Sequence, residues 1–371
     1  MIYQIVSFMP IAVCAFWSIA LGINIWERGN RAAHNQLLVW TVTATLLYIG
    51  HFVFFNRLTS AIPVSDTIYV VCNLLVYPLY LYYITVLTKG KASSRQLWLT
   101  ILPAIIFGII VATLYVMMND NECHQFIDTY LYSNSMQGLA GVTRMQAVVH
   151  QSAKVLFAIG VLGVLFVGTN HIRRYNRLIE SIYADNDDKR LFGITTILLL
   201  MVLTAILSFT VNVIGRFTFL ISDIPFALIA CFFSSLLYLL CYRGFVQRFS
   251  FSDIAREERE ETEKETTETI QKEGASHLLH KIDDEQLFLQ PGLTLAELAK
   301  QLGTNRTMLS KLVNEQMGMP FAEFINRKRI AYVKRIEKEN PEAPKQELAE
   351  KAGYTSMRSF YRNYNLYSDS I

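Results

Sequence analysis

Six polar side chains between residues 305 and 314 have the types and spacing for hydrogen-bonding chemistry on a nucleic acid. Arg306, Thr307, Ser310, Lys311 and Asn314 recur at intervals of three and four, which on a helix makes one stripe of donors, and Asn305 stands just ahead of them. Arg, Asn, Ser and Thr can read base edges in a groove, whereas Lys mainly holds phosphate. Met308, Leu309, Leu312 and Val313 fall between the polar positions, so the opposite face is expected to be buried. The same ten residues would also suit a helical hairpin with a solvated face; the flanking sequence has to decide.

A second pair with chemical capacity lies in an apolar run. His150 and Lys154 are four residues apart and share a helix face. A charge in the middle of a bilayer is expensive and normally faces the bundle interior, a cavity or a partner, which makes the pair a candidate sensing site. Snorkelling of Lys154 to an interface, or a structural hydrogen bond between helices, would explain the same residues. His51, Asn73 and Asn212 are the other polar side chains noted in such runs. No HExxH, GxxxxGK[ST] or GxSxG occurs, so no catalytic residues are assigned and an enzyme is not expected. The five cysteines show no CxxC spacing, and neither a metal site nor a cofactor is implied.

The elements that would position the polar stripe begin at Thr294. With Glu297 three residues on it forms a capping box, and Leu295, Leu298, Ala299 and Leu302 then recur at helical spacing. Gly303 ends that helix where a left-handed residue is favourable, and Asn305 can cap the next. Two short helices joined by a Gly-containing turn of three or four residues make a helix-turn-helix, which places its second helix in a DNA major groove.

Residues 293–329, LTLAELAKQLGTNRTMLSKLVNEQMGMPFAEFINRKR, resemble the first half of an AraC-type DNA-binding domain. The resemblance rests on the LxxLA helix, the NRTxLS turn, the Gly318–Met319–Pro320 break and the FxxFIN helix ending at Arg329. Residues 347–364, ELAEKAGYTSMRSFYRNY, resemble that family's second helix-turn-helix, with Leu348, Ala349, Gly353, Tyr354, Phe360 and Tyr364 at its core positions. Two such units joined by one long helix imply a sequence-specific transcription regulator that binds double-stranded DNA. Arg329 matches a family Arg that is usually structural. Thr355 or Ser356 would cap the second reading helix, on which Arg358 and Arg362 lie one turn apart and can clamp phosphate or reach guanine. Lys345 and Ala352 depart from the pattern, and no counterpart of the family's closing Gly, Thr-Pro and aromatic-Arg tail precedes Ile371. The second unit is therefore expected to be the less stable one.

The remainder has another character. The hydrophobic fraction of 52% is concentrated before residue 247. Seven stretches, at about 2–26, 36–56, 64–88, 97–118, 145–169, 192–215 and 224–246, are long enough to cross a bilayer. The first lacks a basic residue ahead of its apolar run and is too long for a signal peptide, so it reads as an uncleaved span. Twelve Lys and Arg residues flank the spans on one side, including Arg173, Arg174 and Arg177, against Arg57, Arg144 and Arg216 on the other. That asymmetry puts the N-terminus outside and the C-terminus in the cytoplasm of the inner membrane. The loop 119–144 is long enough to fold over the bundle mouth as part of a ligand-sensing surface, but with no spacing that specifies a ligand it reads first as a solvated connector. Residues 252–273 carry nine acidic and four basic side chains without a heptad seam, a solvated tether that would be repelled by anionic lipid and by DNA. Residues 286–371 carry thirteen basic side chains against nine acidic ones, so the charge changes sign where DNA binding would need it.

The expected chain is thus all-α: a seven-helix transmembrane domain at 1–246, a charged helical linker at 247–275, and an AraC-type domain of two helix-turn-helix units at 276–371. Its implied partners are double-stranded DNA, the lipid bilayer, a second copy of the chain and an unknown small-molecule or envelope signal. A receptor whose helical tail binds a protein instead of DNA is the competing reading.

Overall fold

In this computed structural model the described residues are 2–28, 31–186, 223–247, 250–256 and 275–369, with single positions between 189 and 206. Most of the expected span at 192–215, including Asn212, and most of the acidic tether lie outside them. Among the described residues there are thirteen α-helices and no strand. The fold is all-α. The chain divides into two compact units, residues 1–172 with 192–252, and residues 173–191 with 253–371.

The first unit holds α1 (Ile2–Arg28), α2 (Ala32–Phe55), α3 (Ile62–Lys89), α4 (Ser94–Met117), α5 (Asp120–Phe126), the first three-quarters of α6 (Gly141–Ile182) and α7 (Asp223–Val246). Its α2 packs between α1 and α3, α3 also against α4, and α1 against α7. Trp40 is buried there and donates Nε1–H to the Val76 carbonyl at 2.8 Å. Among the described residues six helices are long and apolar enough to cross a membrane. Their outward faces are apolar too: Trp98, Leu99, Val116, Leu162 and Phe166 are all exposed.

Two expectations are corrected. The loop 119–144 is not a plain connector. Asn119 and Glu122 form a capping box that starts α5, a π turn follows at Ile127–Tyr132, and Phe126, Ile127, Tyr130 and Tyr132 pack into the core beneath. The helix carrying the expected fifth span does not stop near 169 but continues to Ile182. Tyr175, Ile179 and Ile182 recur at helical spacing and are buried, so this apolar stripe carries the helix past Arg173, Arg174 and Arg177.

The second unit contains α8 (Ala275–Asp284), α9 (Leu295–Gln301), α10 (Arg306–Lys311), α11 (Phe321–Glu339), α12 (Lys345–Lys351) and α13 (Met357–Tyr367). Pro320 opens α11, where its missing N–H removes no helical bond. Phe321, Phe324 and Ile325 enter a core shared with α8, α9 and α10, while Ile330 and Val333 enter a second core with α12 and α13. One continuous helix therefore supplies both halves.

Candidate nucleic-acid interface

The first helix-turn-helix is assembled by local bonds. Thr294 Oγ1 accepts the Glu297 N–H at 3.1 Å and Glu297 Oε2 accepts the Thr294 N–H at 2.8 Å, so α9 starts as its sequence requires. Gly303 turns the chain with φ +67°. Asn305 Oδ1 then accepts the Met308 N–H at 2.7 Å and caps α10. Leu309, Leu312 and Val313 are buried, whereas Thr307, Lys311 and Asn314 are exposed and Arg306 and Ser310 half-buried. From Leu312 to Gln316 the helix widens into a π turn, and Asn314 Nδ2 donates to Ser310 Oγ at 3.0 Å. The structure thus gathers the five stripe residues on one face and holds Asn305 as the cap behind them.

The second unit places its residues differently. Ser356 is the cap, its Oγ accepting the Ser359 N–H at 3.2 Å, while Thr355 gives both its N–H, at 3.1 Å, and its hydroxyl to Asp185 Oδ2. Arg358 is exposed, but Arg362 is half-buried and donates Nη2–H to Asn186 Oδ1 at 3.3 Å. The two arginines lie one turn apart on the helix yet in unlike surroundings. Lys345, the residue out of pattern, is held by the Glu337 carboxylate and lies over the Tyr364 ring at 4.3 Å. A long side chain here covers apolar surface that a shorter apolar residue would otherwise fill.

Arg329 joins the two units from inside. It is fully buried, with Nε donating to the Phe288 carbonyl at 2.7 Å, Nη2 to the Gln290 carbonyl at 2.6 Å, and its guanidinium 5.2 Å from the Tyr354 ring centre. Burial pushes its pKa down, and Tyr354 and Asp185 oppose that. The same burial pushes the Tyr354 phenol up.

In the head, the residues that sequence reasoning missed are Tyr183 to Asn186. Tyr183 forms an antiparallel bridge with Thr294, Ala184 N–H donates to the Leu293 carbonyl at 3.1 Å, and Asn326 Nδ2 donates to the Ala184 carbonyl at 2.8 Å. The stripe Tyr175, Ile179, Ile182 announces a buried helix but does not name its partner, which follows more than a hundred residues later.

In the first unit, the other candidate pair also falls together. His150 Nε2 lies 2.7 Å from Asp66 Oδ2, which also accepts the Tyr115 hydroxyl at 2.8 Å. Lys154 Nζ sits 5.3 Å from the Tyr130 ring centre. His150, Lys154, Asp66, His51 and Asn73 line one cavity of about 90 Å³, partly walled by Tyr130 and Tyr132 of the π turn. A polar cavity of that size has room for several waters or the polar end of a small ligand. Asp66 was overlooked as a carboxylate near the start of an apolar run, although an acid there needs a buried partner as much as Lys154 does.

Residues 298–367 match the family model of a helix-turn-helix domain, of the AraC type, and the match runs from the middle of α9 through α11 to the end of α13. That family comprises DNA-binding transcription regulators. Comparison with curated proteins gives no match, and neither does comparison with solved structures.

Proposed function

We propose that this chain is a membrane-anchored, sequence-specific transcription regulator whose apolar helices sit in the inner membrane and sense a small-molecule or envelope signal. The observation that carries the reading is the donor stripe along α10 and its π turn, exposed at Thr307, Lys311 and Asn314, within a twin helix-turn-helix domain, in a chain whose other unit has six helices apolar enough to span a bilayer. Arg306, Thr307, Ser310 and Asn314, fixed by the Asn305 cap, read base edges, and Lys311 holds phosphate. In the second unit Arg358 meets phosphate or guanine from an exposed position and Arg362 from a half-buried one. The head faces the cytoplasm, as DNA access and the basic flanks of the spans both require. The cavity with Asp66, His150 and Lys154 is the sensing site, and tethering on a membrane favours a homodimer by raising effective concentration.

The test uses the full-length protein in lipid nanodiscs and duplexes selected by it from a random library. Arg306→Ala is expected to relax specificity at one base by about 1–3 kcal/mol, and Lys311→Ala to weaken all sequences alike with a shallower salt dependence. Equal affinity for selected and random DNA, unmoved by either change, would defeat the reading.

A further inference from the structure

The segment Tyr183–Asn186 belongs to the reading head although it directly follows α6, about ninety residues before the head's first helix, α8, begins at Ala275. It touches both helix-turn-helix units. On the first it bonds Leu293 and Asn326, and on the second Asp185 takes both donors of Thr355 and Asn186 takes Arg362. Ala184 is 0% exposed and Asn186 1%, so the segment is interior material, not a strand laid on a surface. Asp185 also acts electrostatically on the buried Arg329.

A head with two reading helices recognises DNA only when both fall into major grooves about one helical turn apart. Within the head proper, α11 supplies both cores, but the chain breaks at Asn340–Pro344 before α12 and α13. The angle of α13 against α10 therefore needs a second tie, and the 183–186 segment is bonded where such a tie must be. We infer that Asp185 and Asn186 are positioning residues for DNA recognition, which fix the angle between the two reading helices and so select the spacing of the two half-sites. The inference rests on the proposed DNA-binding function. It adds that the end of an apolar, membrane-length helix is built into the specificity of the head.

The test again uses the full-length protein in nanodiscs, with duplexes in which the two selected half-sites are moved apart in single-base-pair steps. The wild type is expected to prefer one spacing. Asp185→Ala should flatten that preference, lowering affinity at the best spacing by about tenfold, the loss expected when a second contact is no longer pre-positioned, and leaving the other spacings unchanged. Asn186→Ala should flatten it less, and Asp185→Asn, which keeps an acceptor for the Thr355 N–H, least. Spin labels introduced through an unnatural amino acid at Lys300 and Asn365 supply a readout that needs no DNA. Their distance distribution should be narrow in the wild type and broad in Asp185→Ala. An unchanged spacing profile and an unchanged distance distribution in Asp185→Ala and Asn186→Ala would overturn the inference; should Asp185→Ala not fold, the same result in Asp185→Asn and Asn186→Ala would do so. A wild type that distinguishes no sequences defeats the functional reading instead, and the distance measurement still decides the tie.

Discussion

The two helix-turn-helix units share a plan and differ in what holds them. In the first, the devices that shape the reading helix lie within about twenty residues: the Thr294–Glu297 capping box, Gly303, the Asn305 cap and an apolar face of Leu309, Leu312 and Val313. In the second, α12 starts after Pro344 without a side-chain cap, the turn at Gly353 presses on the Leu289 carbonyl, and Thr355 and Arg362 lean on Asp185 and Asn186. The first reading helix is shaped by its neighbours along the chain, and the second is finished by distant parts of it. A helix-turn-helix can thus be specified locally for reading and non-locally for placement.

The turn glycines are the sharpest way to break that comparison. A Cβ on Gly353 would meet Leu289 O at 2.0 Å, in a backbone with φ +77°; one on Gly303, at φ +67°, would meet nothing within 4 Å. Both substitutions carry the left-handed penalty, but only the first must also move backbone. Gly353→Ala is expected to destabilise the second unit by about 4 kcal/mol or more, against about 1 kcal/mol for Gly303→Ala. Hydrogen exchange on the full-length protein, resolved by segment, separates the two. Similar losses would mean that the units are held alike.

The next effect concerns the buried arginine. Arg329→Met leaves the Phe288 and Gln290 carbonyls without their donor, and the expected loss is about 2–3 kcal/mol. Arg306→Ala, on the half-buried edge of the donor stripe, should change stability by no more than about 0.5 kcal/mol while altering DNA choice. Denaturant titration followed by DNA binding distinguishes them. If Arg306→Ala proved the more damaging to stability, the first reading helix would not be the one whose polar face is free for reading.

This contrast also explains what the sequence could say. Periodicity and caps are properties of neighbours along the chain, so α9, α10 and their cap were legible from Thr294, Glu297 and Asn305. The twin units followed from a resemblance confined to the last quarter. The partners of Asp185 and Asn186 lie about 170 residues away, and no local pattern marks a carboxylate as the acceptor for a distant Thr N–H. Likewise His150 and Lys154 announced themselves by their cost in an apolar run, but Asp66, on another helix, became their companion only through packing. The run of α6 beyond residue 169 was readable in Tyr175, Ile179 and Ile182, and was hidden by reading the interleaved arginines as the end of a span.

The smallest effect refines the comparison at the caps of the two reading helices. Asn305→Ala removes the side-chain acceptor that caps α10, and the expected loss is about 1 kcal/mol. Ser356→Ala removes the same kind of bond from α13, but the residue before it stays anchored, because Asp185 holds both donors of Thr355. With the entry to the helix already fixed, less order is lost with the cap, and the expected loss falls to about 0.5 kcal/mol. A double-mutant cycle makes the argument strict: in an Asp185→Ala background the penalty of Ser356→Ala should rise towards that of Asn305→Ala, a coupling of about 0.5 kcal/mol. Additive penalties would show that Asp185 and the cap act independently, and that the second unit starts its reading helix as locally as the first.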